Sequence, residues 1–367
     1  WALWRRGLVF GAKERWQTML SRLSGQASWF ILLFGIAFSS MGFGIYYESN
    51  ILHTRYPQKQ QRFLLAQSEK NYKQYEDRVQ PRIVRNSIDL ELQPENGSLY
   101  STGTYTLVNQ SEEWIDSIFV HYAFEVATTF SLDRPYQTVH ADTVIRFHIL
   151  DLDQPLAPKD TVNLAFTIQS YSSSIFKDRS PILGNGSYFS SLLWPSLGYA
   201  GYEIRDAGVR AKYGLPPLTG PKSPSDSLAT RNSYRAQDAD FMDFEITIST
   251  APDQTAIAPG YLQKEWMENG RRYFHYASSQ PVTKDFIVHS GRYEVKKEMW
   301  EGIPLEIYYH PGHDLNLDRI MRGMRAGLTF CSEAYGPYHH DQMRVVEVPR
   351  SKLRTAQSFA NTIPFSE

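Results

Sequence analysis

The sequence predicts a mainly β protein that follows one transmembrane helix and a helical stalk. Three observations predict it. Residues 27–47 carry no charge, the polar stretch after them has loose helical spacing, and from Ile83 onward apolar and polar residues alternate. Aromatic residues are 14% of the 367-residue chain, with 23 Tyr and 8 Trp, which suits sheets with amphipathic faces. Hydrophobic residues at 42% supply a sizeable core. The formal net charge of −1 points away from nucleic acid as a partner. Cys331 is the single cysteine, so packing rather than an internal disulfide must hold the fold.

The uncharged run reads ASWFILLFGIAFSSMGFGIYY. At ~1.5 Å per residue in a helix it spans a hydrocarbon core of roughly 30 Å. Trp29 stands at one end and Tyr46 and Tyr47 at the other, where aromatic belts form. Gly35, Gly42, Gly44, Ser39 and Ser40 give it a small-residue face on which another helix can pack closely. A buried core helix or a signal peptide is the plainer alternative, but a signal peptide has a shorter apolar core and a small-residue cleavage site. Arg5, Arg6, Lys13, Arg15 and Arg22 precede the run against Glu14 alone, and the charges after it are mixed. The positive-inside rule then places residues 1–26 in the cytoplasm and the bulk of the chain in the periplasm or outside. The chain starts at Trp1 rather than Met and stops at Glu367 after a strand-like stretch, so it reads as part of a longer protein.

Residues 55–80 are rich in Gln, Lys and Glu, with Leu64, Leu65, Tyr72 and Tyr75 at helical spacing, and Pro81 ends the stalk. Ile88-Asp-Leu-Glu-Leu92 alternates, and Pro94-Glu-Asn-Gly97 is turn chemistry. Strands are expected at 102–109, 117–122, 144–149 and 162–168, as in a β-sandwich. Residues 170–240 are loop-rich, with one short helix over 203–213. Strands resume at 244–248, 271–276, 286–289, 293–295 and 305–309. A helix over 315–335 carries the apolar stripe Leu317, Ile320, Met321, Met324, Leu328 and Cys331, and Gly336-Pro337 stops it. Arg344-Val-Val-Glu-Val348 is a further strand.

Ten histidines are present, and none opens an H-E-x-x-H helix, which would place two zinc ligands on one face. His310-Pro-Gly-His313-Asp314 reads as a surface loop, and His339-His340-Asp341 as a solvated turn after Gly336-Pro337. No Gly-rich phosphate loop or nucleophile elbow appears.

A family becomes visible at residues 328–367, LTFCSEAYGPYHHDQMRVVEVPRSKLRTAQSFANTIPFSE. This stretch resembles the start of the catalytic domain of M1-family (gluzincin) zinc aminopeptidases. There a helix ends in an aromatic-Gly-Pro-Tyr turn, a strand like Arg344-Val-Val-Glu-Val-Pro349 follows, and a substrate-binding edge strand comes next. Gln254-Thr-Ala-Ile-Ala-Pro-Gly260, Arg271-Arg-Tyr-Phe-His-Tyr276 and Trp194-Pro-Ser-Leu-Gly-Tyr199, with Asp206 and Arg210, are similar to the family's N-terminal β domain. The helix, Tyr46-Tyr-Glu-Ser-Asn50, the stalk and Pro81-Arg-Ile resemble the Bacteroidetes-type ABC-2 transporter permeases fused to such a domain.

The resemblance implies a layout. Residues 1–26 are a cytoplasmic juxtamembrane segment, 27–47 the transmembrane helix and 48–80 the stalk. An M1-type N-terminal β-sandwich domain occupies 81–296, with a long loop at 200–240, and 297–367 begin an α+β, thermolysin-like catalytic domain. Zinc is expected in the longer protein, with its H-E-x-x-H outside this chain and no metal ligand or catalytic residue within it. The implied setting is a bacterial inner membrane, with the lipid bilayer, other permease helices and an ABC ATPase subunit as partners and a peptide as substrate.

One departure bears on the chemistry. The family's edge strand carries Gly-Ala-Met-Glu-Asn, whose Glu binds the substrate's free amino terminus. Thr355, Ala356, Gln357, Ser358 and Phe359 stand at those places, so Ser358 replaces the Glu. A neutral hydroxyl cannot give an ammonium group a charge-assisted contact. Glu367 is a carboxylate nearby in sequence. Two readings stay open: a peptidase module that hydrolyses peptides only in the longer protein, and a non-catalytic domain that captures a peptide or partner.

Overall fold

A computed structural model describes residues 11–22, 26–47, 57–124, 126–170, 182–199, 203–218, 220, 223, 225, 238–349 and 357–366. Much of the expected long loop at 200–240 and the positions Thr355, Ala356 and Glu367 lie outside them. The chain divides into two units, Trp1–Pro57 and Gln58–Glu367.

The first unit holds α1 (Ala12–Arg22) and α2 (Gln26–Tyr47). Over Ser28–Tyr47 the mean hydropathy is 1.8 and no residue is buried. Such a helix is long and apolar enough to cross a membrane, and a signal sequence passes the same test.

The second unit opens with α3 (Gln58–Tyr72). Then come β1 (Arg82–Gln93), β2 (Ser98–Val108), β3 (Ile115–His121), β4 (Ala127–Leu132), β5 (Tyr136–Asp142), β6 (Phe147–Leu156) and β7 (Thr161–Ser170). β8 (Gly186–Ser190), β9 (Ser196–Leu197), α4 (Ala207–Tyr213), β10 (Phe241–Thr250), β11 (Thr255–Ile257) and β12 (Tyr261–Glu268) follow. β13 (Arg271–Ala277), β14 (Val282–Thr283), β15 (Ile287–Gly291), β16 (Glu294–Trp300), β17 (Ile303–Tyr309), α5 (Leu317–Tyr335), β18 (Met343–Val348) and β19 (Thr362–Ser366) complete it.

Strands β12-β13-β10-β1-β2-β7-β4 form one large sheet, with β14 beside β10. β5-β6-β3-β9 and β11-β15-β8 form two smaller ones. Alternation sets the inner face: Ile88, Leu90 and Leu92 are buried while Asp89 faces solvent. They join Leu164, Ile168, Ile246 and Ile248 of the large sheet and Ile118, Val120 and Leu150 of a small one in a single apolar core. Each such side chain contributes about 1.5–3 kcal/mol by leaving water. Gly103 is required there, because a Cβ would sit 2.4 Å from the Phe166 ring. Trp194 of the family-like stretch is also buried, its indole N–H donating to Ser101 Oγ at 3.2 Å.

The polar segment read as a stalk has one face fully engaged. Ala66 packs with Ile204 and Leu215, and Tyr72 with Phe119 and Phe147. Glu69 is buried against Arg210, which reaches it through Nη2 (2.6 Å) and Nη1 (3.0 Å). Arg210 lies on α4, whose first turn Asp206 caps by accepting from the Val209 N–H at 2.8 Å.

The mixed part begins at β16. Its sheet runs β16-β17-β18-β19, with β17, β18 and β19 parallel to one another. Parallel neighbours need a crossover, and α5 supplies it between β17 and β18. Leu317, Met321, Met324 and Leu328 of α5 cover Leu305, Ile307 and Val345. The opposite face, through Tyr308 and Val346, packs on Ile257 of the sandwich.

Candidate functional site

β18 is buried on both faces, yet it carries Arg344 and Glu347. Both charges must be met inside the protein. Arg344 points the way Val346 does, toward the sandwich. Its Nη2 donates to Ala258 O (2.7 Å), Gly260 O (3.0 Å) and Asn361 Oδ1 (2.8 Å). The guanidinium also lies over the Tyr276 ring, 5.6 Å from its centre. Among the described residues no carboxylate forms a salt bridge with it. Glu306, its neighbour across the β17–β18 ladder, pairs instead with Lys297 at 2.7 Å and accepts from Gln342 and the Tyr308 hydroxyl.

Asn361 is the second half of this node. It is buried and left-handed, with φ of 49°. Its Nδ2 donates to Gly260 O at 3.1 Å, and its backbone carbonyl accepts from the Arg344 N–H at 2.9 Å. Gly260 is obligatory: φ is +84° and a Cβ would fall 2.4 Å from Ala277 O. One charged side chain thus ties the sandwich, β18 and the residue before β19 together.

The residues expected to face substrate lie just before β19 rather than within it. Gln357 N–H donates to Pro364 O at 3.4 Å, and Phe359 N–H to Thr362 O at 3.0 Å. So 357–359 run back along the outer edge of β19, itself the last strand of its sheet, and 360–361 make the turn. Ser358 is exposed on this arm, Gln357 and Phe359 are half-buried, and Ala360 leans on the sandwich core. Ala356 lies outside the described residues.

Beside this node sits His289 on β15, wholly buried, with neither ring nitrogen hydrogen-bonded among the described residues. Burial, aided by the charge of Arg344, pushes its pKa down to about 3, so it is neutral near pH 7. On the other face Glu347 is buried and accepts from the His310 N–H at 2.7 Å, with His313 Nδ1 at 2.5 Å from its second oxygen. The His310-Pro-Gly-His313 loop is therefore tied down by one carboxylate.

Among the described residues no group of three or more His, Cys, Asp or Glu side chains is placed to hold a metal ion. The described residues do not fit a zinc site. What the arrangement offers is a partly exposed arm at a sheet edge, where an extended chain can add as a strand. The sequence pointed to 357–359 and passed over Arg344, Asn361, Gly260 and Glu347. Two charges within an apolar strand were the available signal for the buried network.

No family model matches the chain, and no curated protein matches it by sequence. Among solved structures it is similar to the M1 zinc metallopeptidase of Deinococcus radiodurans. A mutant of that enzyme bound to a Tyr-Ser-Ala substrate aligns at 15% identity and TM-score 0.50, covering 77% of this chain and 60% of that one. A mutant without that substrate aligns at 14% and 0.51, covering 78% and 60%. The enzyme without mutation aligns at 14% and 0.50, covering 77% and 59%. The chain spans about 60% of the length of these relatives. It is a mostly β protein with an M1-metallopeptidase-like fold and one apolar helix near its start.

Proposed function

We propose that this chain is the peptide-engaging front part of an M1-like module carried on an ABC-2-type permease of a Bacteroidetes-like bacterium. In this reading α2 is a permease span, an ABC ATPase subunit is the partner on the cytoplasmic side, and the β-rich unit lies in the periplasm. The fold likeness, over 77% of this chain, supports the M1-like part of the reading. Peptide hydrolysis belongs to a longer protein, in which zinc and its ligands come from residues outside this chain.

A second reading keeps the peptide and drops the hydrolysis. Ser358, standing where the family's amine-binding Glu stands, favours it. The codons that follow Glu367 in the gene separate the two. An H-E-x-x-H with a second Glu downstream supports the peptidase, and its absence leaves capture without cleavage. In a peptidase with Ser358, N-blocked peptides are cleaved alongside amino-acid arylamides. A strict requirement for a free amino terminus contradicts the assignment of Ser358.

A further inference from the structure

The arm at 357–361 is held by very little of its own. It has two hydrogen bonds to Thr362, one to Pro364, and a left-handed Asn361. An asparagine tolerates that conformation but does not enforce it. What fixes it is the Asn361 amide, gripped from one side by Arg344 Nη2 and from the other by Gly260 O. Thr362 Oγ1 adds a third bond, to Asn361 Oδ1 at 3.1 Å.

The same grip brings charge. Arg344 is 1% exposed and its hydrogen bonds go to three neutral acceptors. The nearest ladder carboxylate, Glu306, is occupied by Lys297. His289, one of its titratable neighbours, is neutral near pH 7. A buried positive charge one hydrogen bond behind the arm is poorly screened. Its field disfavours an ammonium group on the arm and favours carbonyl or carboxylate oxygens.

We propose that Arg344 and Asn361 are the positioning and specificity-determining pair of the peptide site: they hold the 357–361 arm in shape and select peptide segments without a free amino terminus. This rests on the reading of that arm as the peptide-binding edge. It goes beyond the Ser358 replacement, which removes an attraction for ammonium, by identifying a group that repels it.

Two readouts on the full chain in detergent or nanodiscs test it. The first is hydrogen exchange at the amides of Gln357, Phe359 and Thr362. Arg344→Met and Asn361→Ala speed it by about tenfold or more, because each breaks a charge-assisted bond. The double variant adds little beyond either single one. Asn361→Asp keeps the Arg344 contact but loses the Nδ2 donation to Gly260 O, so exchange rises less than in Asn361→Ala, and the amides of β17 stay protected throughout. The second is binding of a fluorescein-labelled hexapeptide, N-acetylated or with a free amino terminus. The acetylated form binds about tenfold more tightly. Arg344→Lys keeps that preference. Asn361→Asp abolishes it with the Arg344 contact kept, because its carboxylate neutralises Arg344.

Exchange that rises equally in β17 and the arm overturns the positioning role. A preference that survives both Arg344→Met and Asn361→Asp, or a preference for the free amine, overturns the selection. If neither peptide binds the unaltered chain, the peptide-site reading fails and the selection with it, while the exchange data still decide whether the pair holds the arm.

Discussion

Gly260, Arg210 and His289 show how single residues set the limits of this structure. Gly260 has a positive φ and carbonyl atoms where a Cβ would be. Gly260→Ala should cost roughly 2 kcal/mol or more, read as a lower denaturation midpoint. Arg210 and Glu69 form a buried pair whose side chains are 3% and 2% exposed. Arg210→Ala leaves the buried Glu69 charge with only Lys73, 3.9 Å away, as an ion partner, at an expected cost of about 3 kcal/mol. Acid stability follows from two histidines. His289 and His121 are pushed down to about 3 and about 4, first by burial. Their unfolded values lie near 6.5, so between the folded and unfolded values the unfolded chain binds more protons. The stability they contribute is complete above about pH 6.5 and is lost as the pH falls toward the folded values. From pH 7 to pH 5 each should remove about 2 kcal/mol. The His289→Leu variant should lose about that much less over the same interval in urea unfolding. An equal loss contradicts the assignment.

At the scale of elements, α2 and α5 make opposite demands on their surroundings. Every large apolar side chain of α2 from Trp29 to Ile45 is exposed, including Phe38 at 82%. A charge at its centre, as in Ile36→Arg, should oppose membrane insertion by about 2.5–3.5 kcal/mol. Alkaline extraction should then release a larger share of the variant. Helix α5 buries a stripe at Leu317, Met321, Met324 and Leu328, and Met321→Ala should cost about 2–5 kcal/mol. These elements were legible because their signals are local. An uncharged run, a stripe of period 3.6 and Gly336-Pro337 place α2 and α5 within two residues. Alternation likewise placed β1, β7 and β10. Strands β4, β5, β8 and β12 were not expected, since their sequences are polar or short and pairing partners rather than periodicity define them. The segment was read as a helical stalk from its polar composition and loose helical spacing, and neither signals that Glu69 is buried by an arginine 141 residues away. The arm at 357–359 was found through resemblance, whereas the Arg344–Asn361 grip depends on β12 and β13 meeting β18, which no local pattern encodes.

At the scale of the whole molecule, the sandwich and the β16–β19 sheet belong to one unit, and beside β19 at the edge of its sheet runs a partly exposed arm. Among the described residues no group of three or more His, Cys, Asp or Glu side chains could hold a metal ion, and the reading proposed above gives this chain peptide recognition. That account stands or falls on where a peptide touches the protein. The direct measurement is photo-crosslinking of an N-acetylated hexapeptide bearing a benzophenone side chain to the full chain, with the crosslinked residues located by mass spectrometry. Crosslinks concentrated in 357–366 and on the neighbouring β18 are the expected result. Crosslinks spread over the sandwich, or none above a scrambled control, contradict it.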